Sequence, residues 1–225
     1  LPSLNLNYRF NDEVKLLLAY SETVARPSFK EFTYLTTQDP VDGDFASGNP
    51  TLTTSEVVSY DARLEWARPN GDLLALGLFY KEVENPLEKT LLDGSDAIAE
   101  IFYNNPNTAE LMGAEFEARK VLDFLGDEDN FLRFFSIGGN VSFIDAKVDV
   151  LDSIRALHEE GFVLSNGTRI GGGFNTSDNF ETSRGLVNQP EWIANAYVSF
   201  DQPDWGTQAT LSVFSESEIG RASCR

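Results

Sequence analysis

Apolar and charged residues alternate strictly in the stretch Tyr60-Asp61-Ala62-Arg63-Leu64-Glu65-Trp66. A period of two residues sends successive side chains to opposite faces of a β-strand, so this segment has one apolar and one polar face. The same alternation recurs in Leu4-Asn5-Leu6-Asn7-Tyr8-Arg9-Phe10 and in Ala114-Glu115-Phe116-Glu117-Ala118-Arg119. The sequence therefore predicts a β-sheet with one apolar face.

Further segments extend this sheet. They have the length and the β-branched or aromatic content of strands, and they bring the predicted number to eight. These five segments are Val14–Ala25, Leu73–Glu84, Phe131–Val148, Leu186–Asp201 and Thr207–Phe214. No segment approaches the run of about 18 apolar residues that a membrane helix requires.

The connections between the eight strands alternate in length. Three are long, namely Lys30–Glu56, Pro86–Leu111 and Asp149–Arg184, and the others have eight residues or fewer. Loops longer than about 15 residues are uncommon in compact soluble domains. Transmembrane β-barrels instead combine short periplasmic turns with long external loops. We therefore predict an all-β fold, a segment of an antiparallel up-and-down transmembrane β-barrel.

A soluble or secreted all-β module, such as a carbohydrate-binding sandwich, is the alternative. In a sandwich, Leu74, Leu76, Leu78 and Tyr80 are buried against a second sheet, whereas in a barrel wall they face lipid.

The composition excludes several classes of function. The chain has 225 residues with 17 Lys plus Arg against 36 Asp plus Glu, a net charge of −19, which argues against nucleic-acid binding. One Cys and one His, His158, argue against a disulfide framework, a metal site and a catalytic triad. The run Gly171-Gly172-Gly173 lacks the Lys-Ser or Lys-Thr of a phosphate loop. We expect no enzyme activity and no cofactor.

Several sequence segments resemble the carboxy-terminal barrel of TonB-dependent outer-membrane receptors. They include Ser21-Glu22-Thr23-Val24-Ala25-Arg26-Pro27-Ser28-Phe29, Gly48-Asn49-Pro50-Thr51-Leu52, Phe79-Tyr80-Lys81-Glu82-Val83-Glu84-Asn85-Pro86 and Leu186-Val187-Asn188-Gln189-Pro190. Together with the opening Leu1-Pro2-Ser3-Leu4-Asn5-Leu6 and the stretches around Tyr60 and Gly113, they occur in the order typical of the family. These stretches are most similar to the branch of this receptor family that is common in proteobacteria of the Caulobacter and Xanthomonas type.

The resemblance implies a 22-stranded barrel closed by a plug, of which this chain holds about eight strands. It implies that the signal peptide, plug, TonB box and early strands lie upstream of Leu1. The complete protein would lie in the outer membrane of a Gram-negative bacterium, in contact with lipid and lipopolysaccharide. It would import a scarce nutrient such as a siderophore, vitamin or oligosaccharide, powered by TonB, ExbB and ExbD acting through the plug.

Two regions are expected within the chain. Residues 1–217 are predicted to form the barrel segment. The tail Glu218-Ile219-Gly220-Arg221-Ala222-Ser223-Cys224-Arg225 resembles a translated sequencing adapter, so residues 218–225 are predicted to be non-native. The strands at Leu4 and Leu211 are expected to form the two free edges of an open, curved sheet.

Charged residues on the polar face of the strands are predicted to point into the barrel lumen. An Arg or Lys on the lipid face costs about 2 to 4 kcal/mol at mid-depth, which favours the inward orientation. The set comprises Asp61, Arg63, Glu65, Glu115, Glu117 and Arg119. We expect these residues to form ion pairs within the wall or with the plug, while substrate contact is the other role open to them.

Aromatic and amide side chains in the long loops are the candidate ligand contacts, because rings stack on flat groups and amides hydrogen-bond directionally. They are Phe32, Tyr34, Phe45, Phe102, Tyr103, Asn104 and Asn105, although Tyr103-Asn104-Asn105-Pro106 also has the composition of a turn. The three loops hold 16 acidic and 5 basic residues. These carboxylates could bridge through divalent cations to lipopolysaccharide or steer a cationic ligand, but solvation alone also accounts for them. Asp39, Asp42 and Asp44 do not have EF-hand spacing, so we expect no metal site there.

Overall fold

The computed structural model describes residues 1–38, 45–93, 98–125, 131–150, 159–164, 167, 169–170, 183–186 and 189–218. Asp39, Asp42, Asp44, His158, the Gly171 to Gly173 run and the predicted tail beyond Glu218 lie outside these residues. The strands of the described residues are, in chain order, β1 (Ser3–Arg9), β2 (Val14–Ala25), β3 (Thr36–Gln38), β4 (Phe45–Ser47), β5 (Ser55–Ala67), β6 (Leu73–Glu84), β7 (Leu87–Asp93), β8 (Ile98–Asn104), β9 (Ala109–Val121), β10 (Phe135–Asp149), β11 (Phe162–Val163), β12 (Arg169–Ile170), β13 (Ser183–Arg184), β14 (Trp192–Gln202) and β15 (Thr207–Glu216).

Eight long strands form one antiparallel sheet, in the order β1-β2-β5-β6-β9-β10-β14-β15, and the short β13 also pairs with β10. This is the up-and-down order that the sequence predicts. Within the described residues β1 and β15 are the two edges and do not pair with each other, so the predicted open sheet is confirmed. Two predicted strands begin too early, because β10 starts at Phe135 and β14 at Trp192.

Short turns join the long strands at one end of the sheet. The Asn11 side chain accepts hydrogen bonds from the backbone N–H groups of Glu13 and Val14 at 2.9 and 2.8 Å, which closes the turn between β1 and β2. Gly71 has φ +95° in the turn between β5 and β6, a conformation that glycine adopts without strain. The residues Phe131–Phe134 before β10 form a 3₁₀ helix, which explains the late start of that strand.

The two faces of the main sheet differ as the alternation predicts. Leu4, Leu64, Leu76 and Leu78 lie on the apolar face and are 67, 46, 47 and 55% exposed. No second layer of the described residues covers them, so a soluble sandwich is not favoured. Most of the buried apolar residues among those described lie instead at the long-loop end, where two small clusters form: Ala99, Ile101 and Leu164, and Ala109, Val148 and Val150.

The long loops form a second sheet that the sequence did not predict, with the order β3-β4-β8-β7. In it β4 pairs with β8 in parallel, so residues of the first loop hydrogen-bond to residues of the second. The short helix α1 (Phe29–Phe32) precedes β3, and a capping box between Ser28 and Glu31 closes its first turn. No helix among the described residues is long and apolar enough to cross a membrane.

Two glycines on the polar face are covered by aromatic rings. The Phe79 ring lies where a Cβ on Gly113 would be, at 2.7 Å from its Cε1, and Tyr197 covers Gly138 in the same way. Such a ring over a glycine of a neighbouring strand fixes the register and fills the space that the missing side chain leaves.

Replacing Gly113 by Ala should therefore lower the free energy of unfolding by about 1 to 3 kcal/mol, because the new methyl group overlaps the ring and the Phe143 carbonyl. Gly77→Ala is the matched control, since its Cβ would meet Glu115 at an ordinary 3.6 Å. Urea unfolding followed by tryptophan fluorescence would measure both variants. Equal stability of the two would contradict the proposed role of the Phe79 ring.

Candidate functional site

The strand register brings the predicted charged residues together on the polar face. Arg63 lies opposite Gly77, which lies opposite Glu115, and Glu65 is connected in the same way through Ala75 to Glu117. Because β6 contributes only small residues between them, long side chains of β5 and β9 can meet across it. The wall thus provides the contact geometry that these ion pairs need.

An ion-pair chain crosses four strands on this face. Arg63 Nη2 lies 2.6 Å from Glu117 Oε2, Arg63 Nε lies 3.3 Å from Glu65 Oε2, and Lys15 Nζ lies 3.1 Å from Glu65 Oε1. The four charges alternate in sign and cancel. Glu115 accepts a hydrogen bond from Ser142 at 3.4 Å, while Asp61 and Arg119 have no ion-pair partner among the described residues.

A recess of about 380 Å³ lies next to the ion pairs, on the side of the long loops. Asp61, Glu115 and Lys81 line it together with the Phe79 ring and Gln189. Lys81 Nζ stands 5.8 Å from the centre of the Phe79 ring, a cation–π distance. The recess therefore presents charges of both signs and an aromatic surface to anything that passes along the polar face.

The predicted ligand-contact residues fall into two groups. Phe32 and Tyr34 are 47 and 52% exposed at the long-loop end of the sheet. Phe45 packs against the cluster formed by Ala99, Ile101 and Leu164. The remaining candidates are Phe102, Tyr103 and Asn105, which are buried, and Asn104, whose Oδ1 accepts a hydrogen bond from the Thr53 N–H at 2.7 Å. Of these predicted contacts, only Phe32 and Tyr34 present exposed rings.

A buried polar cluster surrounds Glu88, which is 4% exposed. The Tyr103 hydroxyl and the Asn105 Nδ2 donate to Glu88 Oε2 at 3.0 and 3.1 Å, and Arg184 Nη2 lies 3.2 Å from Oε1. Burial raises the pKa of the Tyr103 hydroxyl, and the charge of Glu88 raises it further, so the hydroxyl remains a proton donor. The Arg184 contact joins the second long loop to the third.

Aromatic rows mark both ends of the apolar face. Tyr20, Tyr60 and Tyr80 lie in register near the long loops, with ring centres 5.2 and 6.4 Å apart. At the short-turn end, Phe131, Phe135, Phe200 and Trp205 form a second group, with Phe131 in contact with the other three. The seven residues from Tyr60 to Trp66 span about 20 Å, close to the height of the apolar band of an outer-membrane barrel.

The comparison with protein families agrees with this arrangement. The family described as TonB dependent receptor-like, beta-barrel matches residues 1–222. The chain belongs to this family. Its members are outer-membrane receptors rather than enzymes. The short-turn end of this receptor barrel segment is accordingly periplasmic and the long loops are external.

Solved receptors share the fold of this barrel segment. The siderophore receptor PirA from Pseudomonas aeruginosa aligns with a TM-score of 0.57 at 14% identity, over 95% of this chain and 33% of PirA. A mutant ferric enterobactin receptor, PfeA, of the same species was solved with enterobactin and aligns with a TM-score of 0.53 at 15% identity, over 97% of this chain and 28% of PfeA. The chain thus spans about a third of these receptors. No curated protein matches the sequence.

Some structural residues of this receptor segment were not predicted from the sequence. Lys15 starts the ion-pair chain, but its strand reads Lys15-Leu16-Leu17-Leu18-Ala19 and has no alternation that would mark a polar face. Glu88 and Arg184 belong to different loops and are 96 positions apart, so no local pattern relates them. The tyrosine row could have been found, because Tyr20 and Tyr80 lie a few residues before the ends of β2 and β6, and Tyr60 lies a few residues after the start of β5.

Proposed function

We propose that this chain is part of the wall of an outer-membrane receptor that imports a scarce nutrient, with a siderophore-type small molecule as the first class to test. The observation that supports it best is the contrast between the two faces of the sheet. One face is apolar, uncovered and bordered by aromatic rows, and the other carries a compensated ion-pair chain. PirA and PfeA, which share this fold, are named as receptors for siderophores and for ferric enterobactin.

In this proposal the polar face lines the lumen. Asp61, Arg63, Glu65, Glu115, Glu117 and Arg119 then face the plug or the passing nutrient. Asp61 and Arg119, which have no ion-pair partner among the described residues, are the ones left to pair with the plug. The long loops contact lipopolysaccharide and capture the nutrient, and TonB, ExbB and ExbD act through the plug. The receptor makes and breaks no covalent bond.

Uptake by the intact receptor tests the function. The complete gene, placed in a host lacking its own siderophore receptors, should restore uptake of at least one radiolabelled ferric siderophore under iron limitation. Deleting tonB from that host should abolish the uptake. Uptake that persists without TonB would contradict the proposal. Labelled cobalamin and oligosaccharides extend the panel to the other nutrient classes that the resemblance implies.

Phe32 and Tyr34 are the ligand contacts that we propose to test first. The double variant Phe32→Ala, Tyr34→Ala should weaken binding of the transported nutrient about tenfold, because each stacked ring contributes about 0.5 to 1.5 kcal/mol. Phe124→Ala is the matched control, since this ring is 62% exposed at the opposite end of the sheet. Fluorescence titration of the purified receptor would give both affinities. An unchanged affinity in the double variant would exclude these rings as contacts.

A further inference from the structure

A shallow groove crosses the apolar face near the periplasmic end. Its floor is made of small residues in register on three neighbouring strands: Ala118 of β9, Gly139 of β10 and Ala196 of β14. Leu74 of β6 borders the floor on one side and Val213 of β15 on the other. The groove has a volume of about 1090 Å³, and its walls are predominantly apolar.

This groove faces the membrane, so hydrocarbon rather than water borders it. An unfilled depression loses dispersion contacts along its whole lining, and water finds few polar partners there. A flexible acyl chain can follow a floor of small side chains, while larger lining residues such as Leu74 and Phe116 form a wall beside it. The shape and the chemistry of the groove therefore fit a lipid tail.

Two cations lie where the groove reaches the short turns. Arg68 and Lys120 are among the groove residues, and their side chains are 47 and 44% exposed. The Arg68 guanidinium lies 5.7 Å from the centre of the Trp66 ring, which holds it at the groove edge. Its carboxylate neighbours, Glu13 and Asp72, are each 3.9 Å away, beyond hydrogen-bond distance. The guanidinium donors therefore remain available to an anion.

Lys120 also keeps donors for a ligand. Its Nζ donates to Asp72 Oδ2 at 2.6 Å, and an ammonium group has two further N–H bonds. Burial alone would raise the pKa of Asp72, but the hydrogen bonds from Lys120 and from the Val121 N–H outweigh it and lower that pKa. The Asp72 side chain is only 6% exposed, so the cations lie at the surface and the carboxylate beneath them.

We propose that this groove binds a glycerophospholipid of the periplasmic leaflet. One acyl chain lies over Ala118, Gly139 and Ala196, and the phosphate accepts hydrogen bonds from Arg68 and Lys120. Because the short turns are periplasmic, the two cations lie at the level of phospholipid headgroups and a membrane thickness away from lipid A. This lipid site is separate from nutrient capture, which we place on the opposite face and on the external loops.

Native mass spectrometry of the intact, delipidated receptor with palmitoyl-oleoyl phosphatidylglycerol tests the site. Ala118→Leu fills the groove floor, and Arg68→Gln combined with Lys120→Gln removes the phosphate donors. Each should weaken binding of this lipid about tenfold, the loss expected for charge-assisted hydrogen bonds or excluded chain contacts. Ala114→Leu is the matched control, because it adds the same side chain to the same face of β9 outside the groove and should bind as the unaltered receptor does.

Three results would overturn the proposal: no phosphatidylglycerol retained by the unaltered receptor, equal retention in Ala118→Leu and Ala114→Leu, or displacement of the lipid by purified lipid A. A second copy of the receptor or another protein bound at the groove in place of lipid would do the same. The shift of unheated against heated bands on a denaturing gel confirms that each variant is folded. If Ala118→Leu does not fold, the double variant of the two cations, whose side chains are solvated, decides the outcome.

Discussion

Replacing Val141 by Arg should lower the free energy of unfolding of the intact receptor by about 2 to 4 kcal/mol, the cost of a guanidinium at mid-depth on the lipid face. Val141 lies on the apolar face of β10, about halfway between the aromatic rows. On this strand Phe135 belongs to the row at the short-turn end. Asp145 is level with the tyrosine row, because it pairs with Met112, which pairs with Tyr80. Chemical unfolding of the receptor refolded in lipid vesicles would measure the change.

The neighbouring residue supplies the control for this prediction. Asn140 lies on the polar face opposite Glu117, so Asn140→Arg places the same guanidinium next to a carboxylate and should cost less than 1 kcal/mol. Since the two positions are consecutive in one strand, depth and backbone surroundings are matched. Similar losses in both variants would mean that the face carrying Val141 is not in contact with hydrocarbon.

Replacing Glu88 by Gln should open the external loops locally at a cost of about 3 kcal/mol, because the largely buried Arg184 then loses its counter-charge. The Arg184 side chain is 16% exposed and that of Glu88 only 2%, so water does little to compensate. Hydrogen exchange of the β7 and β8 amides should become faster by about a hundredfold. Exchange in the long strands of the main sheet should not change.

Glu100→Gln tests whether burial causes this effect. Glu100 pairs with Lys89 at 3.2 Å in the same two strands, but the two side chains are 30 and 39% exposed. An exposed pair of this kind contributes about 0 to 1 kcal/mol, so the exchange rates should change several-fold at most. If both variants exchanged alike, the Glu88 cluster would not hold the loops together.

The long strands could be predicted from the sequence because their signal is local. In β5 the alternation from Tyr60 to Trp66 defines the period, the face of each residue and the apolar surface. The alternation also predicts Arg63 and Glu117 on one face, and in the structure these two side chains meet at 2.6 Å. The alternation alone does not show which residues of β6 lie between the strands of Arg63 and Glu117. They are the small residues Ala75 and Gly77, which make the contact possible.

The loop layer could not be predicted because its pairings are distant in sequence. Phe45 of β4 pairs with Ala99 of β8, 54 positions later, and neither three-residue β3 nor β4 carries a periodic signal. For the same reason, Tyr103 and Asn105 have the composition of exposed ligand contacts, whereas the structure buries them around Glu88. The sequence does not show whether a polar side chain in a loop will hydrogen-bond to water or to a buried carboxylate.

The parallel pairing of β4 with β8 has a mechanical consequence for the long loops of this segment. Main-chain hydrogen bonds at Ala46 and Ser47 tie the first loop to the second. The contact of Arg184 with Glu88 ties the second loop to the third. We therefore expect a displacement that begins at Phe32 to move the tied parts of these three loops together rather than one loop at a time.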